Sequence, residues 1–214
     1  MESTIEEEKI FLMQTFNRLP VILVKGEGAY VWDSNGKKYL DLVGALGTAS
    51  IGYGNKELSR AISTQAKKII NATNLYYTRP QVLLAKKLSK ISGLRKCFFS
   101  NSGTEAVETA IKLARKHTKK SEIIACENAF HGRTLGALSA TWNKKYKEFC
   151  EPLVSGFKHI RFNNVSALEE AIGSDTAAFI VEPIQGEGGI VLPSEDYLKQ
   201  VREVCSKKGV LLIL

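Results

Sequence analysis

The sequence predicts an α/β fold in which helices flank a mostly parallel sheet. Two continuous apolar runs, 177–181 and 210–214, are typical of strands that are buried on both faces. Segments with strand and helix patterns alternate through the second half of the chain, as they do in parallel sheets built from βα units. Residues 1–54 have a different pattern, so we predict the N-terminal part of a small α+β domain there and a larger domain over 55–214.

The first part of the chain predicts a helix and a small meander. The start is acidic, and Ser3 or Thr4 is a suitable N-terminal cap for a helix with acids in its first turn. Turn-forming Gly, Asn and Asp separate short apolar stretches. These stretches predict strands at 21–24, 29–32 and 38–42, followed by an irregular Gly-rich segment at 44–54.

Helical periodicity begins at Asn55, and a second helix follows Thr78, with Pro80 near its first position. A polar, aromatic loop at 71–77 separates these two helices. The alternation that follows predicts strands at 96–100, 122–126, 159–162, 177–181 and 210–214. It predicts helices at 103–117, near 133–140, around Leu168 and Ala171, and from a cap at Ser194 through Lys208.

Composition narrows the function classes. The 214 residues carry a net charge of +8, but their lysines are scattered in pairs and form no basic stripe with interleaved aromatic residues. We therefore expect no nucleic-acid partner. The apolar runs are too short to span a bilayer and the acidic start is unlike a secretory signal, so we expect a cytoplasmic protein. The four cysteines are widely spaced, with Cys97 and Cys126 in apolar runs where buried free thiols are expected, and no metal site is indicated.

The segment 97–106 has the pattern of an anion site. An apolar run ends in Ser102-Gly103-Thr104, and an amphipathic helix follows at once. The first N–H groups of a helix lack internal acceptors and favour negative charge, so this point suits a phosphate or a carboxylate. Ser102 and Glu105 also form a capping box, which explains the same residues as a helix start alone.

Two further polar segments follow predicted strands. Phe130 and Arg133 come after the strand at 122–126, and Glu182 and Glu187 flank a Gly-bearing turn after the strand at 177–181. Ligands of open parallel sheets bind beyond the carboxyl ends of the strands, so we expect the three segments to converge. Phe130 could stack on a flat ring and Arg133 could hold a carboxylate. Each residue alone also has an ordinary explanation as core, surface ion pair or turn.

These motifs resemble the class III pyridoxal-phosphate aminotransferases, and most closely the acetylornithine and ornithine type. The resemblance rests on 100–115, 130–134 and 182–189, with support from 28–33 and 74–77, and covers essentially the whole chain. It implies the fold type I of pyridoxal-phosphate-dependent transferases and a homodimer whose sites are shared across the interface. It also implies amino-acid and 2-oxo-acid substrates, as in arginine biosynthesis. One departure is Tyr53, which stands where family members often carry His.

The resemblance also implies residue roles. Ser102, Gly103 and Thr104 would hold the cofactor phosphate, Phe130 would stack on its ring, and Glu182 would lie near it. Arg133 would bind the substrate carboxylate, and Glu187 would lie at the substrate end. Tyr76, in the loop at 71–78, would contribute to substrate binding at the shared site. His131 lies in the motif as a neutral histidine without a chemical role.

The family's Schiff-base lysine and the aspartate that pairs with the pyridine nitrogen have no match in this sequence. Family members carry that aspartate just beyond the position of Leu214 and the lysine later still. The expectation is therefore an N-terminal portion with an incomplete large domain, which does not transaminate alone. The alternatives are a relative acting on ornithine, 4-aminobutyrate or similar amines, and a non-catalytic fragment or binding module.

Overall fold

A computed structural model describes residues 2–214. The chain forms two compact units, one ending at Leu84 and one running from Ala85 to Leu214. This division falls inside a helix, later than the domain boundary predicted after residue 54, which stays a prediction. No helix in the described part of the chain is long and apolar enough to cross a membrane.

The first unit contains a helix and a three-stranded antiparallel sheet. Helix α1 covers Glu2–Phe11, and strands β1 (Leu23–Glu27), β2 (Tyr30–Asp33) and β3 (Lys38–Leu40) pair in chain order. The predicted meander is confirmed, with its first strand displaced by about two residues. Because α1 begins at Glu2, Ser3 and Thr4 lie inside the helix, and neither is its cap.

Tyr53 fastens the irregular segment after β3 to the meander. Its backbone exchanges two hydrogen bonds with Gly28, at 2.8 and 3.0 Å, and its hydroxyl donates to Asp41 at 2.7 Å. A side chain at Gly26 would collide with the Tyr53 ring. Tyr53, which stands where members of the family that the chain resembles often carry His, therefore has a structural role within the first unit. Beyond it, α2 (Lys56–Ala66) begins after an Asn55 cap whose side chain accepts from Leu58 N at 2.9 Å, and α3 covers Arg79–Ser92.

The second unit is a parallel sheet between helices. Its strands are β4 (Glu122–Cys126), β5 (Phe157–Ile160), β6 (Thr176–Ile180) and β7 (Leu211–Ile213), in the spatial order β5-β4-β6-β7. All three pairings are parallel, which confirms the predicted fold class. Its helices are α4 (Gly103–Thr118), α5 (Leu135–Ala140), α6 (Lys144–Lys147), α7 (Val165–Ala171) and α8 (Tyr197–Lys208).

The central strands bury both faces because successive side chains point to opposite sides of the sheet. Ile124 and Phe179 face the cluster formed with α7 and α8, whereas Ile123 and Ala178 face the cluster formed with α4 and α5. Every residue of β6 is buried, as its continuous apolar run predicts. The packing of helices on both faces of the sheet fixes where the carboxyl ends of β4 and β6 lie.

Four further local predictions were wrong. Residues 96–100 form no strand, because no strand of the described residues pairs with them, and Phe98 stays 71% exposed. Cys97 is exposed rather than buried. Ser194 does not cap α8, since its hydroxyl donates to Asn163 Oδ1 at 2.9 Å and the helix begins at Tyr197. The last strand is only half-buried, because β7 lies at the edge of the sheet.

Candidate functional site

Three polar segments meet at the carboxyl ends of β4 and β6. The start of α4 contacts the segment after β4, where the hydroxyl oxygens of Thr104 and Thr134 lie 2.8 Å apart. That segment contacts the one after β6, where Phe130 N donates to Glu182 Oε1 at 2.8 Å. The predicted convergence of the three segments is confirmed by these bonds.

The start of α4 combines a helix cap with backbone N–H groups that have no acceptor within the helix. Glu105 N donates to the Ser102 hydroxyl at 3.3 Å, and the Glu105 carboxylate turns back to accept from Asn101 N at 2.6 Å. The hydrogen bonds from Asn101 lower the pKa of Glu105. The N–H groups of Gly103 and Thr104 stand in the first turn, where a helix has no acceptors of its own. The capping and anion-binding explanations are therefore compatible.

A chain of hydroxyl groups lies behind this turn. Thr134 Oγ1 donates to Glu108 Oε1 at 2.6 Å, because a carboxylate can only accept. Thr134 has then used its single hydroxyl proton, so Thr104 is the donor of the Thr104–Thr134 bond. Glu108 also accepts from Ala137 N at 3.0 Å. Glu108, itself a residue of α4, thus links α4 to Thr134 and to the start of α5.

Gly132 lies where a side chain would collide with Thr104. Its φ of +134° is a conformation that L-residues rarely adopt, and an added Cβ would also lie 3.0 Å from the Ala137 Cβ. The close approach of the segment after β4 to the start of α4 therefore requires glycine at this position.

Glu182 fixes the backbone on both sides of the site. Its two carboxylate oxygens accept from Phe130 N at 2.8 Å and from Gly186 N at 3.0 Å. Phe130 is half-buried, and its ring meets the Tyr146 ring edge-on at a centroid distance of 5.9 Å. The ring of Phe130 is thus held at the sheet edge rather than packed in the core.

Arg133 and Glu187 are both exposed, and both act on the side chain of Tyr146. The Tyr146 hydroxyl donates to Glu187 Oε1 at 2.7 Å, and this hydrogen bond raises the pKa of Tyr146. The charge of Arg133 acts on the same phenol in the opposite direction. The site therefore presents one cationic and one anionic side chain near an aromatic pair.

His131 is buried and neutral. Its backbone N donates to Thr141 Oγ1 at 2.9 Å, while its Nε2 has no hydrogen-bond partner among residues 2–214. Burial, with a smaller contribution from His159, lowers the pKa of His131 to about 4. A neutral imidazole is what the sequence predicts here.

Tyr76 belongs to the first unit, and its place in a site stays a prediction. It is 70% exposed and lines a cavity of about 750 Å³ together with residues at the ends of α2 and α3. Glu108, Thr134 and Tyr146 were not predicted as site residues from the sequence. Thr134 and Glu108 lie inside the recognised motifs 130–134 and 100–115, where no role was predicted for them, but Tyr146 lies in a lysine-rich stretch that gives no signal.

Comparisons with known proteins agree with this architecture. A family model described as Aminotransferase class-III matches residues 13–214. The acetylornithine aminotransferase of Methanothermobacter thermautotrophicus is 51% identical over 213 residues, which is 100% of this chain and 55% of that protein. The one of Methanocaldococcus jannaschii is 49% identical, over 99% of this chain and 55% of that protein. The chain thus spans about half the length of the curated relatives it matches.

A solved structure has the same fold. The ornithine aminotransferase of Toxoplasma gondii ME49 superposes with a TM-score of 0.94 at 32% identity. The match covers 99% of this chain and 52% of that one. The described residues therefore have the fold of the N-terminal part of such transaminases.

Proposed function

Because the chain belongs to the class III aminotransferase family, we propose that the protein takes part in pyridoxal-phosphate-dependent transamination. The reaction moves the terminal amino group of an ornithine-like amino acid, N-acetylornithine, to 2-oxoglutarate in arginine biosynthesis. The names of its close relatives support this substrate. The observation that carries the proposal is the convergence of the start of α4, the Phe130 segment and Glu182.

The residues present fit pyridoxal phosphate. The N–H groups of Gly103 and Thr104 and the Ser102 turn suit its phosphate, because a helix N-terminus favours an anion. Phe130 would stack on its ring, and Glu182 would lie near it while holding Phe130 in place. When bound, the cofactor supplies an electron-accepting ring for amino-group transfer.

The remaining site residues suit an amino-acid substrate. The guanidinium of Arg133 matches the planar geometry of a carboxylate and would bind the substrate there. Glu187 would lie at the substrate end of the site. Tyr76 would contribute from the loop at 71–78, across the interface of a homodimer in the cytoplasm. A molecular mass of one subunit in light scattering would contradict the dimer.

None of the lysines of this chain lies in a motif that matches the family's covalent lysine. Residues 1–214 alone are therefore expected not to transaminate, whatever cofactor they bind. An isolated 1–214 protein that turned over an amino donor would overturn this part of the proposal.

The proposal is tested with the complete gene product. Purified protein loaded with pyridoxal phosphate should form glutamate from N-acetylornithine and 2-oxoglutarate, with a higher kcat/KM than from ornithine or 4-aminobutyrate. A preference for ornithine would instead favour the second candidate, which the Toxoplasma structure supports. No turnover of any of the three donors would leave a non-catalytic binding module.

A variant of Thr104 tests the phosphate site. Thr104→Ala removes a hydroxyl from the first turn of α4 together with its bond to Thr134. We expect the dissociation constant for pyridoxal phosphate to rise about 10- to 100-fold, the equivalent of the charge-assisted hydrogen bond that the Thr104 hydroxyl would give the phosphate once its proton turns away from Thr134. Thr104→Ser keeps the hydroxyl and should bind within about twofold of wild type. Unchanged affinity in Thr104→Ala would reduce the Ser102–Glu105 turn to a helix cap.

A further inference from the structure

Tyr146 joins two elements of the candidate site that are far apart in sequence. It lies on α6, a helix of four residues after β4, and its hydroxyl donates to the Glu187 carboxylate across 41 positions of sequence at 2.7 Å. Its ring simultaneously meets the Phe130 ring edge-on, with an interplanar angle of 77°. The edge of one aromatic ring against the face of another is a favoured geometry.

Glu187 is an exposed side chain on a closely seated backbone segment. Glycines 186, 188 and 189 surround it, yet the backbone is seated firmly, because a Cβ at Gly188 would lie 2.7 Å from Asn128 O. The Glu187 side chain is exposed, and the Tyr146 hydroxyl donates a hydrogen bond to it. An exposed carboxylate without such a donor would populate several rotamers.

The pair borders a cavity of about 360 Å³. Its lining includes Asn128, Phe130, Trp142, Tyr146 and Glu187. A ligand that enters here meets the ring of Phe130 and the carboxylate of Glu187 together. Their relative position decides whether both can contact one ligand.

We propose that Tyr146 is a positioning residue of the proposed aminotransferase site. It holds the Glu187 carboxylate and the Phe130 ring at a fixed separation, and so sets how tightly the amino donor binds. The proposal rests on the proposed function, and it adds a residue that acts through Glu187 rather than by touching the reacting atoms. A carboxylate already held by Tyr146 loses no rotamer freedom when the donor binds beside it.

The test is a double-mutant cycle in the complete gene product. Tyr146→Phe keeps the ring against Phe130 and removes only the hydroxyl. We expect KM for the amino donor to rise about five- to tenfold, with kcat and the dissociation constant for pyridoxal phosphate within about twofold of wild type. In a Glu187→Ala background, the same Tyr146→Phe change should alter KM by less than about twofold.

Tyr197→Phe is the matched control. It removes a tyrosine hydroxyl from the core of the same unit, where Tyr197 packs on Phe162. Its KM should equal that of wild type. The proposal is overturned if Tyr146→Phe leaves KM unchanged, or if it raises KM equally with and without Glu187, since the hydroxyl would then have only a general structural effect.

Transamination by the wild-type protein tests the proposed function separately from the role of Tyr146. If wild-type protein transaminates no donor, the function fails before any variant is compared. The coupling is then measured by calorimetric titration of N-acetylornithine into wild type, Tyr146→Phe, Glu187→Ala and the double variant. Additive changes in binding free energy would overturn the role of Tyr146, and non-additive changes would support it.

Discussion

At the scale of single residues, close packing explains why Gly132 occurs where it does. The segment after β4 must pass the start of α4 closely enough for Thr134 to meet Thr104, and Gly132 lies at this crossing with φ of +134°. A larger residue would have to displace the Thr104 side chain and adopt a strained backbone conformation. The constraint thus links the fold directly to the proposed phosphate site.

Gly132→Ala should therefore lower stability and cofactor affinity together. We expect a loss of about 2–4 kcal/mol in the free energy of unfolding, from overpacking and backbone strain combined. Denaturant unfolding of the complete gene product measures it, and a titration with pyridoxal phosphate measures the affinity. Gly173→Ala is the control, because an added Cβ there meets nothing within 4 Å and its φ is not positive. If Gly132→Ala and Gly173→Ala were equally stable, the segment after β4 would not pass the start of α4 as closely as Gly132 indicates.

At the scale of elements, the sequence predicted what local chemistry determines. Helix α4 and strands β4 and β6 lie within one or two residues of their predicted positions, because a cap or an apolar pattern specifies each. The segment 96–100 fails for the opposite reason, since a strand exists only when another backbone pairs with it. Ser194 fails as a cap because Asn163 captures its hydroxyl.

The residues of the candidate site also fall into those that the sequence pattern predicts and those that it does not. Phe130, Arg133, Glu182 and Glu187 follow strand ends in the sequence, so a general rule for parallel sheets was enough to predict that they meet. Tyr146 reaches Glu187 only through the folded chain, and nothing in its lysine-rich surroundings marks it. Side chains that act through tertiary contacts of this kind were beyond the reach of the sequence pattern.

Glu108 joins α4 to α5 and provides the prediction at this scale. Glu108→Ala removes the acceptor of the Thr134 hydroxyl and of Ala137 N, so two donors lose their partner. We expect the free energy of unfolding to fall by about 1–3 kcal/mol, since unsatisfied donors are costly. Thermal and denaturant unfolding of the complete gene product measure this change.

Glu203→Ala serves as the comparison for Glu108→Ala. Glu203 is an exposed carboxylate on α8, so its loss should change the free energy of unfolding by no more than about 0.5 kcal/mol. If the two variants were equally stable, the link between α4 and α5 through Glu108 would carry no measurable energy.

At the scale of the whole molecule, stability depends on groups buried in the neutral form. His131 is 9% exposed and stands beside the sheet, and burial lowers its pKa to about 4. Burial also lowers the pKa of the half-buried His159. A histidine in the unfolded chain has its ordinary pKa near 6.5. The unfolded state therefore binds more protons than the native state between these two values.

The stability of the complete gene product should accordingly fall as the pH is lowered from about 6.5 towards about 4. His131 alone should account for a loss of about 2 kcal/mol between pH 7 and pH 5, a range that lies above the titration of most carboxylates. Denaturant unfolding at a series of pH values measures the slope. His131→Phe, which replaces an imidazole whose Nε2 has no partner among residues 2–214, should flatten that slope. The same substitution at the exposed His117 should leave it unchanged. Because His159 contributes to the slope as well, only the His131 share should disappear, and a slope that His131→Phe leaves undiminished would show that the native state holds His131 near its ordinary pKa.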